Sequence, residues 1–148
     1  MPRRGRRWML ALLLVLPALV AACGGTAAEE AAQPPAVVEP VKGTDVVRVV
    51  LTPEAARRIG VRTVRVRSDG PGTRLTSIPY SAVLYDPNGA TWAYTSPEPL
   101  VYVRRDITVQ RIDGDSAVLS KGPTVGTRIV AVGSTELWGV EYGGIEED

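Results

Sequence analysis

From Val46 to Val132 the chain is built of short β-branched runs separated by turn residues, and this spacing constrains its fold more than any other feature. Val46-Val47-Arg48-Val49-Val50-Leu51 is the first such run, and consecutive valines suit a strand. Val61-Arg62-Thr63-Val64-Arg65-Val66-Arg67 alternates almost strictly, which predicts a strand with one wet face. Ser68-Asp69-Gly70-Pro71-Gly72 turns the chain. Strands are expected over 73–78 and 82–85, broken at Pro79, and Asp86-Pro87-Asn88-Gly89 turns the chain again before Thr91-Trp92-Ala93-Tyr94. After Pro97-Glu98-Pro99 come runs over 100–104, 107–112, 116–120 and 128–132. Strands this short, with turns this regular, predict a mainly β fold, a small β-barrel or sandwich. One short helix is expected at about 53–59. Thr52 can cap its free amides, Pro53 suits the first turn, Glu54 complements the dipole and Gly60 stops it. Ala55, Ala56 and Ile59 would face inward, leaving Arg57 and Arg58 in water.

The first 22 residues have a different character. Arg3, Arg4, Arg6 and Arg7 precede an uncharged apolar stretch over 8–22 that ends in Val20-Ala21-Ala22, the three parts of a secretory signal. That stretch is short for a spanning helix, which needs about 20 apolar residues. The only cysteine, Cys23, follows at once. Leu19-Val20-Ala21-Ala22-Cys23-Gly24 resembles the bacterial lipobox, which implies lipid attachment at Cys23 (palmitate-type acylation of the thiol) and cleavage just before it. Several acyl chains, at about 0.8 kcal/mol per buried methylene, hold a protein on a membrane durably. The expected organisation is a lipoprotein signal peptide over 1–22, a lipidated flexible tether over 23–44 and a folded β domain over 45–148. The tether is expected because its residues are small, polar and proline-bearing. The expected location is the cell membrane, lipid-anchored on the extracytoplasmic face, periplasmic if the host has two membranes.

Taking residues 1–22 from 148 leaves 126, the size of one domain, and removes four arginines, so the formal charge of +1 becomes −3. The remaining arginines are spread among acids and strands, which argues against a nucleic-acid partner. Histidine is absent, both methionines, Met1 and Met9, leave with the signal, and Cys23 becomes a lipid thioether. Copper and zinc depend on those ligands, so no metal site and no cofactor is expected. Nucleophilic triads lose their usual base for the same reason, and no phosphate-cradling glycine loop occurs. Asp113-Gly114-Asp115 lies between two β runs and reads as a hairpin turn, while Glu146-Glu147-Asp148 reads as a charged terminus. No catalytic residue is assigned, and the chain is not expected to be an enzyme. The row Arg62, Arg65 and Arg67 reads as a solvated sheet face, with an acidic-partner surface as its functional counterpart. Tyr80, Tyr85, Trp92, Tyr94, Tyr102 and Trp138 read as core and barrel-end filler, with a sugar-stacking platform as theirs.

Ile78-Pro79-Tyr80-Ser81-Ala82-Val83-Leu84-Tyr85-Asp86-Pro87-Asn88-Gly89, followed by Trp92-Ala93-Tyr94, resembles part of the membrane fusion proteins, the periplasmic adaptor subunits of bacterial efflux pumps. In them a "small-Pro-x-x-Ala-Val" strand enters the barrel and membrane-proximal domains. Asp106-Ile107-Thr108-Val109 resembles the adaptors' "V-x-V-G" strand, and Asp113-Gly114-Asp115 its hairpin. Val118-Leu119, Gly122, Gly126-Thr127-Arg128-Ile129-Val130 and Gly133-Ser134-Thr135-Glu136-Leu137 resemble the closing "V-x-x-G-L-x-x-G-x-x-V-V-x-x-G" pattern. Upstream, Leu51-Thr52-Pro53-Glu54-Ala55-Ala56-Arg57-Arg58-Ile59-Gly60-Val61 is similar to the segment that precedes the adaptor core. The likeness covers most of residues 46–142. It departs from the family in lacking the coiled-coil hairpin and the split lipoyl-like domain, since Val66 runs through one short turn to Ile78 and no heptad-patterned helix occurs.

The resemblance implies a barrel or membrane-proximal-type β domain. It also implies, as partner, an efflux transporter of the resistance-nodulation-division or ATP-binding-cassette type. Bridging to an outer channel uses the missing hairpin and is not implied, and no contact residue is carried over. The first expected function is therefore a membrane-anchored lipoprotein, a truncated adaptor-like accessory of an efflux transporter. The alternative is a free-standing extracytoplasmic binding lipoprotein for a cell-wall component or small solute, motivated by Trp92, Tyr94 and Trp138. A crowded barrel interior without an aromatic-lined cleft would count against that alternative.

Overall fold

The computed structural model describes residues 34–44 and 46–143. The expected signal peptide, Cys23, residues 24–33 and Glu146-Glu147-Asp148 lie outside the described residues. In chain order the elements are β1 (Ala36–Pro40), β2 (Val47–Leu51), α1 (Pro53–Ile59), β3 (Arg62–Arg65), β4 (Arg67–Ser68), β5 (Thr76–Pro79) and β6 (Leu84–Tyr85). They continue with β7 (Thr91–Glu98), β8 (Val101–Asp113), β9 (Ser116–Lys121), β10 (Arg128–Val132) and α2 (Ser134–Gly143), and a single 3-10 turn, Tyr80–Ala82, separates β5 from β6.

The sheet curls into a nearly closed barrel, as its strand order β3-β10-β7-β8-β9-β5-β4 makes plain. Its two ends, β3 and β4, are one stretch of chain interrupted only at Val66. There the Val66 amide donates to Thr127 O at 2.9 Å and its carbonyl accepts from Gly126 N at 2.9 Å. The ring is weakest between β7 and β10, which share one register pair, Ile129 with Thr95. Turn chemistry fixes the corners. Gly114, at φ 56, supplies the left-handed residue of the two-residue β8–β9 hairpin, so Asp113 and Asp115 flank a turn as their spacing suggested.

Strand alternation places two separate cores on opposite faces of the same wall. Val66, Ile78, Ala82, Ala93, Ile107, Ala117, Leu119 and Ile129 fill the barrel interior. The neighbours of opposite parity, Tyr94, Tyr102 and Val130, point outward into a second core with Val49, Leu51, Ala55 and Leu137. That outer core lies between the wall and β2, α1 and α2. Helix α1 forms as its sequence dictates: Thr52 Oγ1 accepts from Ala55 N at 3.2 Å, and Gly60, at φ 74, closes it. Ala55 is buried and Ala56 and Ile59 pack on the outer core, while Arg57 and Arg58 are exposed.

Four local expectations change. Ala36–Pro40, inside the stretch expected to be a tether, is a strand paired antiparallel with β2 from Ala36–Leu51 to Pro40–Val47. It covers the edge of β2 that β8 leaves open, and Arg48 Nε donates to Glu39 Oε2 across the pair at 2.6 Å. Pro40 is tolerated because β1 is itself an edge strand. The runs at 100–104 and 107–112 are one strand, β8, bent at register shifts around Val109 and shared between two parts of the sheet. The alternating run at 61–67 gives the barrel only Val66, since all four residues of β3 are exposed. Finally, one helix is expected and the described residues hold two. The sequence of α2 carries Gly139 and Gly143 with β-branched and aromatic residues, a poor intrinsic helix former, and tertiary contacts hold it.

One corner is strained. Leu100 sits at φ 64 in the two-residue connection from β7 to β8, at the place that a turn starting on Pro99 normally gives to glycine. A left-handed conformation costs a residue with a Cβ about 1–2 kcal/mol. Its carbonyl accepts from Leu51 N at 3.0 Å, which ties the corner to the end of β2.

Candidate functional site

Chemistry-bearing side chains converge where α2 lies on the outer wall of the barrel. Tyr94 on β7 and Arg104 on β8 are register partners and point to the same face. Glu141 on the last turn of α2 meets both. The Tyr94 hydroxyl donates to Glu141 Oε2, and Arg104 Nη2 lies 3.0 Å from Glu141 Oε1. Glu141 is 2 % exposed and Tyr94 fully buried. A carboxylate so deeply buried is tolerated only with a cation and further donors around it, and it has both.

Three rings enclose the Arg104 guanidinium. Its Cζ lies 4.4 Å from the Trp92 ring centroid, 5.4 Å from that of Trp138 and 5.7 Å from that of Tyr142. Trp138 and Tyr142, one helical turn apart on α2, stack with centroids 5.2 Å apart. Desolvated cation–π contacts of this kind contribute about 2 kcal/mol. The outermost wall of the enclosure is held by Asp86. Its Oδ2 accepts from Trp92 Nε1 at 3.2 Å, and its Oδ1 accepts from the amides of Asn88 and Ala90 at 2.8 and 2.9 Å. Partial desolvation pushes the Asp86 carboxyl upward, but the Trp92, Ala90 and Asn88 donors and the Arg104 charge outweigh it and leave the pKa below its ordinary value.

Burial, reinforced by the hydrogen bond and charge of Glu141, raises the Tyr94 phenol well above its ordinary pKa against the opposing pull of Arg104. Burial raises Tyr102 as well. A phenol whose folded-state pKa is raised keeps its stabilising contribution below about pH 10 and loses it as pH rises beyond that. Stability is therefore expected to fall above pH 10, by about 1.4 kcal/mol per pH unit where Tyr94 stays protonated in the fold. Urea titrations from pH 8 to 12 check this. Tyr94→Phe should be shallower by one proton, and an unchanged profile would refute the coupling.

The cluster clamps α2 onto the barrel wall. Glu141 is occupied by Tyr94 and Arg104. The aromatics singled out by sequence divide accordingly. Tyr94 and Tyr102 are buried, Trp92 and Trp138 pack on Arg104, and Tyr80 and Tyr85 stand exposed elsewhere. Glu141 and Tyr142 escaped sequence reading altogether, because a lone acid in a glycine-bearing segment carries no motif. Only the spacing of Trp138, Glu141 and Tyr142, three and four residues apart, hinted at one helical face.

Besides a hollow of about 350 Å³ at the clamp itself, bordered by Val46, Trp92, Arg104, Arg105 and Asp106, two further concavities open on the domain. One, of about 400 Å³, lies where β9 ends and β10 begins, between Thr95, Thr124 and Thr127, the prolines Pro97 and Pro123 and the exposed Arg105. The Lys121–Asp106 ion pair stands at its edge. The other, about 550 Å³, is a shallow groove beside α1, floored by Ala56, Val61, Leu100 and Tyr102 and rimmed by Arg57 and Arg62. Thus Arg62 borders an apolar groove, whereas Arg65 donates to Gly126 O at 3.0 Å. Cys23, the one site residue assigned from sequence, lies outside the described residues. Among the described residues no helix is long and apolar enough to cross a membrane. Comparison of the chain with protein-family models, with curated proteins and with solved structures finds no match.

Proposed function

We propose that this chain is a membrane-anchored lipoprotein whose β domain acts as a truncated, adaptor-like accessory of an efflux transporter. The observation that carries the reading is a barrel with a filled interior whose usable surface lies outside, around α1 and α2. Such a module serves better for docking than for enclosing a ligand. The adaptor-like motifs also fall on coherent parts of that barrel. Ile78 and Pro79 end β5, Ala82 and Val83 enter the interior, Asp113-Gly114-Asp115 turns β8 into β9, and Ile129 and Val130 split between the two cores. Lipidation at Cys23 supplies the anchor, and no catalytic or cofactor role is part of the proposal.

In-membrane crosslinking of the tagged full chain, with mass spectrometry of its neighbours, tests the reading. A transporter in stoichiometric yield is the expected result, together with lowered drug or ion tolerance on deletion. Unchanged transport and tolerance after deletion would refute it. Cys23→Ser is expected to move the protein from the detergent phase to the aqueous phase, and membrane retention without the thiol would sink the anchor.

The concavity beside Arg105 favours a second reading, a free-standing binding lipoprotein. Its volume lies within the range of small-ligand sites, and its threonines offer hydroxyls to a polar solute. The aromatic cluster that first motivated this reading is largely taken up by Arg104, although Trp92 and Arg104 together border a hollow of about 350 Å³. Crosslinks to cell-wall fragments alone would favour it.

A further inference from the structure

We infer that the groove beside α1 is the docking surface of this domain, and that it takes an apolar segment flanked by carboxylates on a membrane protein. The inference rests on the lipid-anchored reading above and deepens it by naming the contact. Three observations converge on the groove. Its floor of Ala56, Val61, Leu100 and Tyr102 is apolar, and arginine stands at its margin on both α1 and β3. Arg57 is held by Glu54 at 2.8 Å, but Arg62 is exposed and pairs with no carboxylate among the described residues. A chain segment with carboxylates beside apolar side chains complements that pattern.

The second observation is Leu100. Glycine would occupy its left-handed position without strain, yet a leucine is held there and contributes to the groove floor. Strained residues persist where the surroundings over-determine them, and they concentrate at ligand clamps.

Position is the third. The Thr52 amide donates to Pro35 O at 3.0 Å, so the chain reaches the domain right beside the start of α1. Eleven residue steps separate Pro34 from Cys23, a span of at most about 40 Å when fully extended. A lipid on Cys23 therefore keeps the groove within reach of membrane-proximal segments of a neighbouring protein. A concave apolar floor fits a protein segment better than a bilayer surface, which receives protruding apolar side chains among dense cations.

The test uses the full chain in its native membranes, with a photoreactive side chain at position 57 and, as control, at position 115 on the β8–β9 hairpin. Position 57 should capture a peptide of an identified membrane protein in which Asp or Glu flanks apolar residues. Yield should fall roughly tenfold in Leu100→Gly and in Arg62→Glu. Leu100→Gly should melt no lower than the parent, which separates lost docking from lost folding. Capture of lipid only, of a second copy of this chain, or of a segment insensitive to both substitutions would overturn the inference, as would yield no higher than at position 115. The two readings fail separately. A non-transporter captured at the groove removes the efflux role and leaves the groove, while a transporter captured only at position 115 does the reverse.

Discussion

Replacing Glu141 with alanine is expected to destabilise the domain by about 3–5 kcal/mol, the usual cost of removing one partner from a buried ion pair. The cause lies less in the lost attraction than in what stays behind. Arg104, whose side chain is only 12 % exposed, would keep its charge beneath Trp92 and Trp138 without a counterion, and the buried Tyr94 hydroxyl would lose its acceptor. Arg104 Nε is already buried without a hydrogen-bond partner among the described residues, so little spare solvation exists to absorb the change. Helix α2 should fray from the wall, and urea melts with near-ultraviolet circular dichroism of Trp92 and Trp138 would report it. The neutralised set Tyr94→Phe, Arg104→Met and Glu141→Leu is expected to return most of the loss. A loss below about 1 kcal/mol for Glu141→Ala would show that α2 is held by Leu137 and its apolar neighbours alone.

The second large effect belongs to the barrel interior. Ile107 is 2 % exposed on β8 and belongs to the same core as Ala93, Leu119 and Ile129. Ile107→Ala should cost about 2–5 kcal/mol, and Ile107→Val about 0.5–1.5 kcal/mol, because the ring of strands cannot collapse around a void. Either loss is large against the 5–15 kcal/mol typical of a whole domain. The two series should add, since one core lies inside the wall and the other outside it. The midpoint of urea unfolding for each single variant and for the pair measures this. Strong non-additivity would mean that clamp and barrel are coupled through β7 and β8.

Local chemistry was legible wherever it is decided within a few residues. Thr52, Pro53 and Gly60 mark the ends of α1 because caps are satisfied by neighbours along the chain. Asp86-Pro87-Asn88-Gly89 and Asp113-Gly114-Asp115 announce turns because their backbone conformations favour those residues. The β-branched runs announce strands, and their number and brevity a small β architecture. β1 was missed because five residues, Ala-Val-Val-Glu-Pro, become a strand only when β2 presents an unpaired edge beside them.

The candidate site was scarcely legible. Tyr94, Arg104 and Glu141 lie 10 and 37 residues apart along the chain, and their meeting depends on strand parity, the β7–β8 register and the way α2 folds back onto the wall. The groove beside α1 likewise joins Ala56 of α1, Arg62 of β3 and Leu100 of the β7–β8 connection. The sequence by itself determined the short strands, the tight turns, the capped first helix and the absence of imidazole. Tertiary structure decided which face of each strand is inside, that a second helix exists, and where a buried acid finds its cation. The physical reason is range. Capping, turn formation and alternation are set by adjacent backbone groups, whereas burying Glu141 is favourable only once distant strands have already delivered Tyr94 and Arg104 to the same spot.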